Sequence, residues 1–201
     1  MAVQSNASDI HLRSSQAMNL RSTDPFTVCT WINATWNSGT CLSCVGICGP
    51  SSDTPLGPPT TAVQIGSASG NYDLTCWSWG GSNLVSTAAG AMTGFNGVWV
   101  FICYAYDGTV HSLYRNGELL QTTTNAQTAG FLNQVYINGY PGSGTGEVGS
   151  FQVDQYSLFR RALSAGEILT MYNARGDRHG IYKDLIARYG FDELGQGAAA
   201  S

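Results

Sequence analysis

Strict alternation marks the first clear element of the chain. Between Phe26 and Ile32, the side chains Phe26, Val28, Thr30 and Ile32 share one face, and Thr27, Cys29 and Trp31 share the other. A period of two in β-branched and aromatic residues predicts a strand. Residues 62–65 and 72–79 are two further strand candidates, bounded by glycine and serine. The run Trp99 to Tyr106 is apolar at both parities, which predicts a strand covered on both faces. Asp107-Gly108 closes it with a turn signal. Then His111–Arg115 and Leu119–Thr123 flank Asn116-Gly117, the dipeptide favoured by a type I′ hairpin. Strands are also predicted at 134–137 and 149–159, and a proline-rich loop at 50–59.

One helix breaks the pattern. Ser164 and Glu167 have capping-box spacing, so the hydroxyl meets the third helical amide while the carboxylate reaches back. Ile168, Leu169 and Tyr172 then share a face, and Gly176 is the expected left-handed stop. Many short strands with one short helix near the carboxyl end predict an all-β, antiparallel jelly-roll β-sandwich. Residues 1–176 form the sandwich in this reading, and 177–201 form a tail.

Composition narrows the partners. Only 11% of the 201 residues are charged, against about 25% in an average domain. The net charge of −4 argues against nucleic acid as a partner, which requires a basic face. No run reaches the roughly 18 apolar residues of a membrane span, and no basic amphipathic helix lies on a membrane surface. The amino terminus lacks the basic and apolar regions of a signal peptide, so a cytoplasmic origin is expected. On that expectation the sequons at Asn6 and Asn33 are chance matches. The six cysteines are expected to be buried or idle thiols; disulfides and a metal site at Cys41, Cys44 and Cys48 stay open as alternatives.

Four segments in order resemble the laminin-G-like branch of the concanavalin A-like lectin and glucanase superfamily. They are Phe26-Thr-Val followed by Trp31; Gly97-Val-Trp99 followed by Tyr104-Ala-Tyr-Asp-Gly108; Leu113-Tyr-Arg-Asn-Gly117; and Gly149 through Arg161-Ala-Leu-Ser-Ala-Gly-Glu167-Ile. The resemblance covers roughly residues 9 to 175 and implies the same sandwich. The tail departs from it: 184–193 resembles the strand that normally begins such a domain. Three roles follow for it. It completes its own sandwich, opens an unfinished repeat, or adds a strand to a neighbouring subunit through Leu185, Ala187, Tyr189 and Phe191. A helix presenting Ile181, Leu185, Ile186 and Tyr189 is the alternative to a strand.

Catalysis is not expected. Glucanases of this fold commonly carry Glu-x-Asp-x-Glu, and none of the four glutamates stands in that motif. No nucleophile elbow is present, and the three histidines are scattered. No cofactor is expected. Calcium, common in the family, would need Asp73, Asp107 and Asn138 to assemble from separate loops.

Three functional readings remain. In the first, which leans on the family resemblance, the protein decorates or cements a tailed-phage capsid. It would be made in the host cytoplasm and sit on the virion surface as a homo-oligomer (a trimer), against the major capsid protein or other coat subunits. The second is a lectin-like carbohydrate-binding module, with Trp77, Trp79 and Tyr140, joined by Trp36, as a stacking platform for glycan. Trp31 and Trp99 are assigned to the core. The third is an adhesion domain of a secreted or cell-surface protein.

Overall fold

Two antiparallel sheets face each other across an apolar core in the computed structural model. The structure describes residues 3–5, 20–35, 42–49, 57–65, 73–78, 82–127, 129–132, 134–137, 150–175 and 180–190. In chain order the strands are β1 (Val3–Ser5), β2 (Leu20–Arg21), β3 (Phe26–Thr35), β4 (Leu42–Gly49), β5 (Gly57–Ile65), β6 (Leu74–Ser78) and β7 (Ser82–Ser86). They continue as β8 (Trp99–Tyr106), β9 (His111–Arg115), β10 (Glu118–Thr123), β11 (Phe131–Leu132), β12 (Gln134–Ile137) and β13 (Ser150–Phe159). The helix α1 (Ala165–Ala174) precedes the last strand, β14 (Leu185–Tyr189).

The smaller sheet has the order β12-β4-β5-β6-β7, and the short β11 and β2 pair separately. The larger sheet runs β13-β3-β8-β9-β10, and β13 carries two partners along its other edge. β1 pairs with its first half, Phe151 to Val153, and β14 with its second half, Tyr156 to Phe159. Strands from near the two ends of the chain therefore share one edge of a single long strand. A register slip on β13 between Asp154 and Ser157 falls where the two partners change over. Gln155, at φ 52°, is the bulged residue there.

Alternation decides what each face of the larger sheet touches. Phe26, Val28 and Ile32 of β3 and Val100, Ile102 and Tyr104 of β8 pack with Val63, Leu74, Cys76, Leu84, Val85 and Val135 of the smaller sheet. Cys29, Phe101, Cys103 and Phe159 point the other way, and Leu163, Ile168 and Met171 cover them. The two-sided apolar reading of β8 thus has its physical cause: the sandwich core lies on one face and α1 on the other.

The helix is seated by specific bonds. The Ser164 hydroxyl accepts from the Glu167 amide at 3.3 Å, and a Glu167 carboxylate oxygen accepts from the Ser164 amide at 2.9 Å. Arg161 donates to both Glu167 carboxylate oxygens, at 3.0 and 2.6 Å, and holds that carboxyl down at about 2. The buried Thr27 hydroxyl accepts from the Leu163 amide at 2.9 Å and donates to the Arg161 carbonyl at 2.8 Å. One side chain of β3 therefore fixes the turn that launches α1.

Several sequence expectations need correction. Arg175, at φ 44°, is left-handed at the C-cap of α1, and Gly176 lies outside the described residues. The buried face of α1 is Ile168 with Met171, while Leu169 is 46% exposed. β5 begins at Gly57, so part of the proline-rich segment is strand; Pro58 and Pro59 stand at its start, where a missing N–H is tolerated. Cys44 and Cys48 lie within β4, an element the cysteine spacing obscured. Cys29 and Cys103 are not free thiols but a disulfide, because the β3–β8 register sets them directly opposite with Cα atoms 4.1 Å apart. Cys76 is a buried thiol, as expected.

The tail forms a strand, not a helix. Its irregular pairing between Leu158 and Phe159 splits the face assigned to it: Ala187 and Tyr189 pack on the sandwich core, and Leu185 on the α1 side. Phe191 lies outside the described residues.

Candidate binding face

The outer face of the larger sheet is only partly covered. α1 lies over Cys29, Cys103 and Phe159, and its last turn brings Tyr172 onto Trp31. These two rings stack at 5.6 Å with an interplanar angle of 25°. Phe101 meets Trp31 from β8 at 5.5 Å. Beyond this cluster the outer face is partly accessible among the described residues. Asn33 on β3 sits opposite Gln152 on β13 and Trp99 on β8, so Gln152, Asn33 and Trp99 form one row across three strands. Their neighbours Ile32, Val100 and Val153 point into the core, which turns all three outward. Trp99 is 37% exposed, while Asn33 and Gln152 are half-buried.

The adjacent row reads Asp154, Trp31, Phe101. Its far end is pinned by Asn116: the Phe101 amide donates to Asn116 Oδ1 at 3.0 Å, and the Asn116 amide donates to the Phe101 carbonyl at 2.8 Å. Its near end is the β13 bulge. The Gln155 amide donates to Asp154 Oδ1 at 2.8 Å, and the Gln155 side-chain amide reaches the Arg175 carbonyl at 3.5 Å. Burial pushes the Asp154 carboxyl above the usual range, against the pull of the Gln155 amide. Partial desolvation of an acceptor beside aromatic rings favours a ligand that brings hydrogen-bond donors.

Trp99 is therefore exposed rather than a core residue, and Trp31 packs half-buried against the apolar cluster beneath α1 rather than between the sheets. Trp31 already shares its predicted face with Thr27 and Cys29 rather than with Phe26, Val28 and Ile32. What the pattern lacked was a reason to treat the second face as open beyond the end of α1. Of the platform residues expected from the sequence, Trp77 stands in β6 opposite Ala62 and Asn83. Trp36, Trp79 and Tyr140 lie outside the described residues.

The other candidate chemistry is used structurally. The Asp107 carboxylate accepts from the Thr109 and Val110 amides at 2.8 and 2.7 Å, closing its turn. Asp73 accepts from the Thr75 and Ser86 hydroxyls, both at 3.3 Å. Asn138, the third residue considered for calcium, lies outside the described residues. Among the described residues no three His, Cys, Asp or Glu side chains gather within metal-holding reach. Inside the sandwich, Tyr104 bonds His111 Nδ1 at 2.7 Å and His111 Nε2 meets the Asn125 carbonyl at 2.8 Å. The carbonyl can only accept, so Nε2 carries the proton and Nδ1 accepts from the tyrosine. The Asn125 side chain in turn donates to the Asn83 and Leu84 carbonyls, tying β7 to this network.

Two facing antiparallel sheets, a helix capping one of them and a partly open aromatic face define a lectin-like binding fold. A family profile matches residues 6–169. The chain belongs to the concanavalin A-like lectin/glucanases superfamily. No curated protein sequence is recognisably similar to it. Among solved structures, it resembles the native heptameric SAP-like pentraxin from Limulus polyphemus, with a TM-score of 0.62 and 19% identity over 87% of this chain and 80% of that one. It also resembles the binding domain of Paraclostridial Mosquitocidal Protein 1, with a TM-score of 0.61 and 14% identity over 87% of this chain and 43% of that one. The Botulinum Neurotoxin Type G Receptor Binding Domain matches with a TM-score of 0.54 and 14% identity over 87% of this chain and 46% of that one. The chain thus spans less than half the length of these two toxin structures. At such identities the likeness establishes the fold.

Proposed function

We propose that this protein is a non-catalytic glycan-binding module whose ligand lies on the open part of the larger sheet. The observation that carries the reading is the row Gln152, Asn33, Trp99, in which two outward amides lead to an exposed indole. Sugar rings stack their apolar C–H faces on aromatic rings, and side-chain amides both donate to and accept from hydroxyls. The Asp154 row runs alongside and adds a carboxylate. The carboxylates described at Asp73, Asp107 and Glu167 are committed to hydroxyls, a turn and a helix cap. That supports a binding rather than a hydrolytic role. The test is a glycan microarray with the wild-type chain and Trp99→Ala. Wild type should bind at least one glycan class, and the variant should lose about 3- to 10-fold in affinity. Folded wild-type protein that binds nothing on the array would defeat the reading.

A second reading is a decoration or cement protein on a tailed-phage capsid, held as a homo-oligomer against the major capsid protein. The observation favouring it is the set of large apolar side chains exposed on or beside the outer face: Val98, Trp99, Leu119 and Leu169. A face dotted with such side chains suits broad contact with other coat subunits. Sedimentation of a native-source lysate tests it. The chain should pellet with megadalton particles beside a shell protein, and recovery as a small soluble species would count against it.

A further inference from the structure

We infer that Asp154 sets the ligand class of this face, which takes neutral, hydroxyl-rich sugars and rejects acidic ones. The inference rests on the glycan reading above.

Three observations place Asp154 in this role. First, register puts it directly opposite Trp31, one step from the Gln152–Asn33–Trp99 row and two strands from Trp99, so a ligand that runs along that row from the indole brings a further sugar ring beside the carboxylate. Second, the carboxylate is held in place. The register slip and the positive φ of Gln155 form the bulge, and the Gln155 amide holds Oδ1 at 2.8 Å. A bulge re-aims the side chains around it and is a recurrent device at binding sites. Third, the carboxyl end of α1 lies at the same corner, because the Arg175 carbonyl accepts from the Gln155 side chain. Helix carbonyl ends carry partial negative charge, which adds to the carboxylate in disfavouring an anion, and the two act against the amino-terminal cation whose field also reaches Asp154.

The chemistry follows from the acceptor count. An ionised carboxylate offers about four lone-pair sites, and the Gln155 amide uses one. The remainder can accept hydroxyl donors, including two from neighbouring positions of one sugar ring. A sugar carboxylate placed about 6 Å away would be repelled by roughly 3- to 100-fold in affinity, across the range from water-like to protein-like screening. Neutral glycans gain hydrogen bonds at this corner, and uronic or sialylated ones lose affinity.

The experiment compares neutral oligosaccharides (glucans, galactans, mannans and chito-oligosaccharides) with uronic or sialylated counterparts, titrated against wild type, Asp154→Asn and Trp99→Ala. Asn at 154 keeps an oxygen for the Gln155 amide, so the bulge should persist; thermal melts check this, and Asp154→Ser is the second variant. Wild type should prefer the neutral member of each pair. The Asp154 variants should lose about 10- to 150-fold on neutral sugars, as expected for a charged hydrogen bond, and the preference over acidic counterparts should shrink or invert. Trp99→Ala should weaken both members equally. Equal binding of neutral and acidic members by wild type, or a folded Asp154→Asn with unchanged selectivity, would overturn the role of Asp154 and leave the glycan reading standing. A wild type that binds no probe would remove both.

Discussion

Gly117 lies directly beneath Leu169. A Cβ built on Gly117 would meet Leu169 Cδ1 at 2.8 Å and its Cα at 3.2 Å, and the glycine itself has φ 82°. The turn between β9 and β10 thus needs glycine twice, for the left-handed backbone and for the approach of α1. Gly117→Ala should destabilise the fold by about 1–3 kcal/mol. In a Leu169→Ala background the clash with Cδ1 should vanish, leaving about 1 kcal/mol of backbone strain and the tight approach of the helix backbone at the residue-169 Cα. Urea denaturation of the four proteins forms a double-mutant cycle, and additive effects would show that the contact is not felt.

Thr27→Val tests the hinge of α1. The valine keeps the shape but strands the Leu163 amide and the Arg161 carbonyl, both served by the Thr27 hydroxyl. A loss of about 2 kcal/mol is expected. Hydrogen exchange should show α1 loosening before the sandwich does; uniform protection across the two would contradict the hinge role.

The Cys29–Cys103 bond closes a separation of 74 residues. Constraint of the unfolded chain by a loop of that size is worth about 4 kcal/mol in the entropic description. Denaturation with and without reductant should differ by up to that amount, and a disulfide-linked peptide carrying both residues should appear in a non-reducing digest. Recovery of both cysteines alkylated from unreduced protein would refute the pairing.

Acid should weaken the fold through His111. Burial is the main cause that lowers its pKa below 6.5, outweighing the Asn125 carbonyl and Asp107. The unfolded chain therefore takes up a proton first. Nothing is lost above about pH 6.5, and stability falls as the pH drops from there towards the lowered folded value. His111→Gln can still donate to Asn125 and accept from Tyr104, so its stability should be flatter over this window. Parallel slopes for the two proteins would exclude His111 as the cause.

Much of the scaffold was legible because short-range chemistry dictates it. The Asn116-Gly117 turn has φ 52° and 82°, the signature the dipeptide predicts. The capping box at Ser164 and Glu167 formed as its spacing requires. The Phe26–Ile32 alternation separated the side chains that face the sandwich core from those on the α1 side. Less visible were β4 and β7, whose Ser, Gly and Cys content hides a strand pattern, and the left-handed Arg175 at the C-cap.

The candidate face was largely hidden for a different reason. Trp31 and Trp99 read as core because aromatic residues in strands usually are, and a strand apolar at both parities implies cover on both sides. Whether that cover reaches the end of the strand depends on the length and placement of α1. Those are set by Thr27, Arg161 and the β13 bulge, far apart in the chain.

The sequence by itself determined the strands of β3, β8, β9 and β10, the hairpin, the helix cap and the family, because each rests on neighbours within a few residues or on motif order. Only the tertiary structure decided that strands from near both ends of the chain share one edge of β13, that Cys29 faces Cys103, and that Gln152, Asn33 and Trp99 line up beside Asp154. Register is the physical reason. A slip of one residue sends a side chain to the opposite face, and pairings over a hundred residues of separation are fixed by the whole packed core rather than by any local signal.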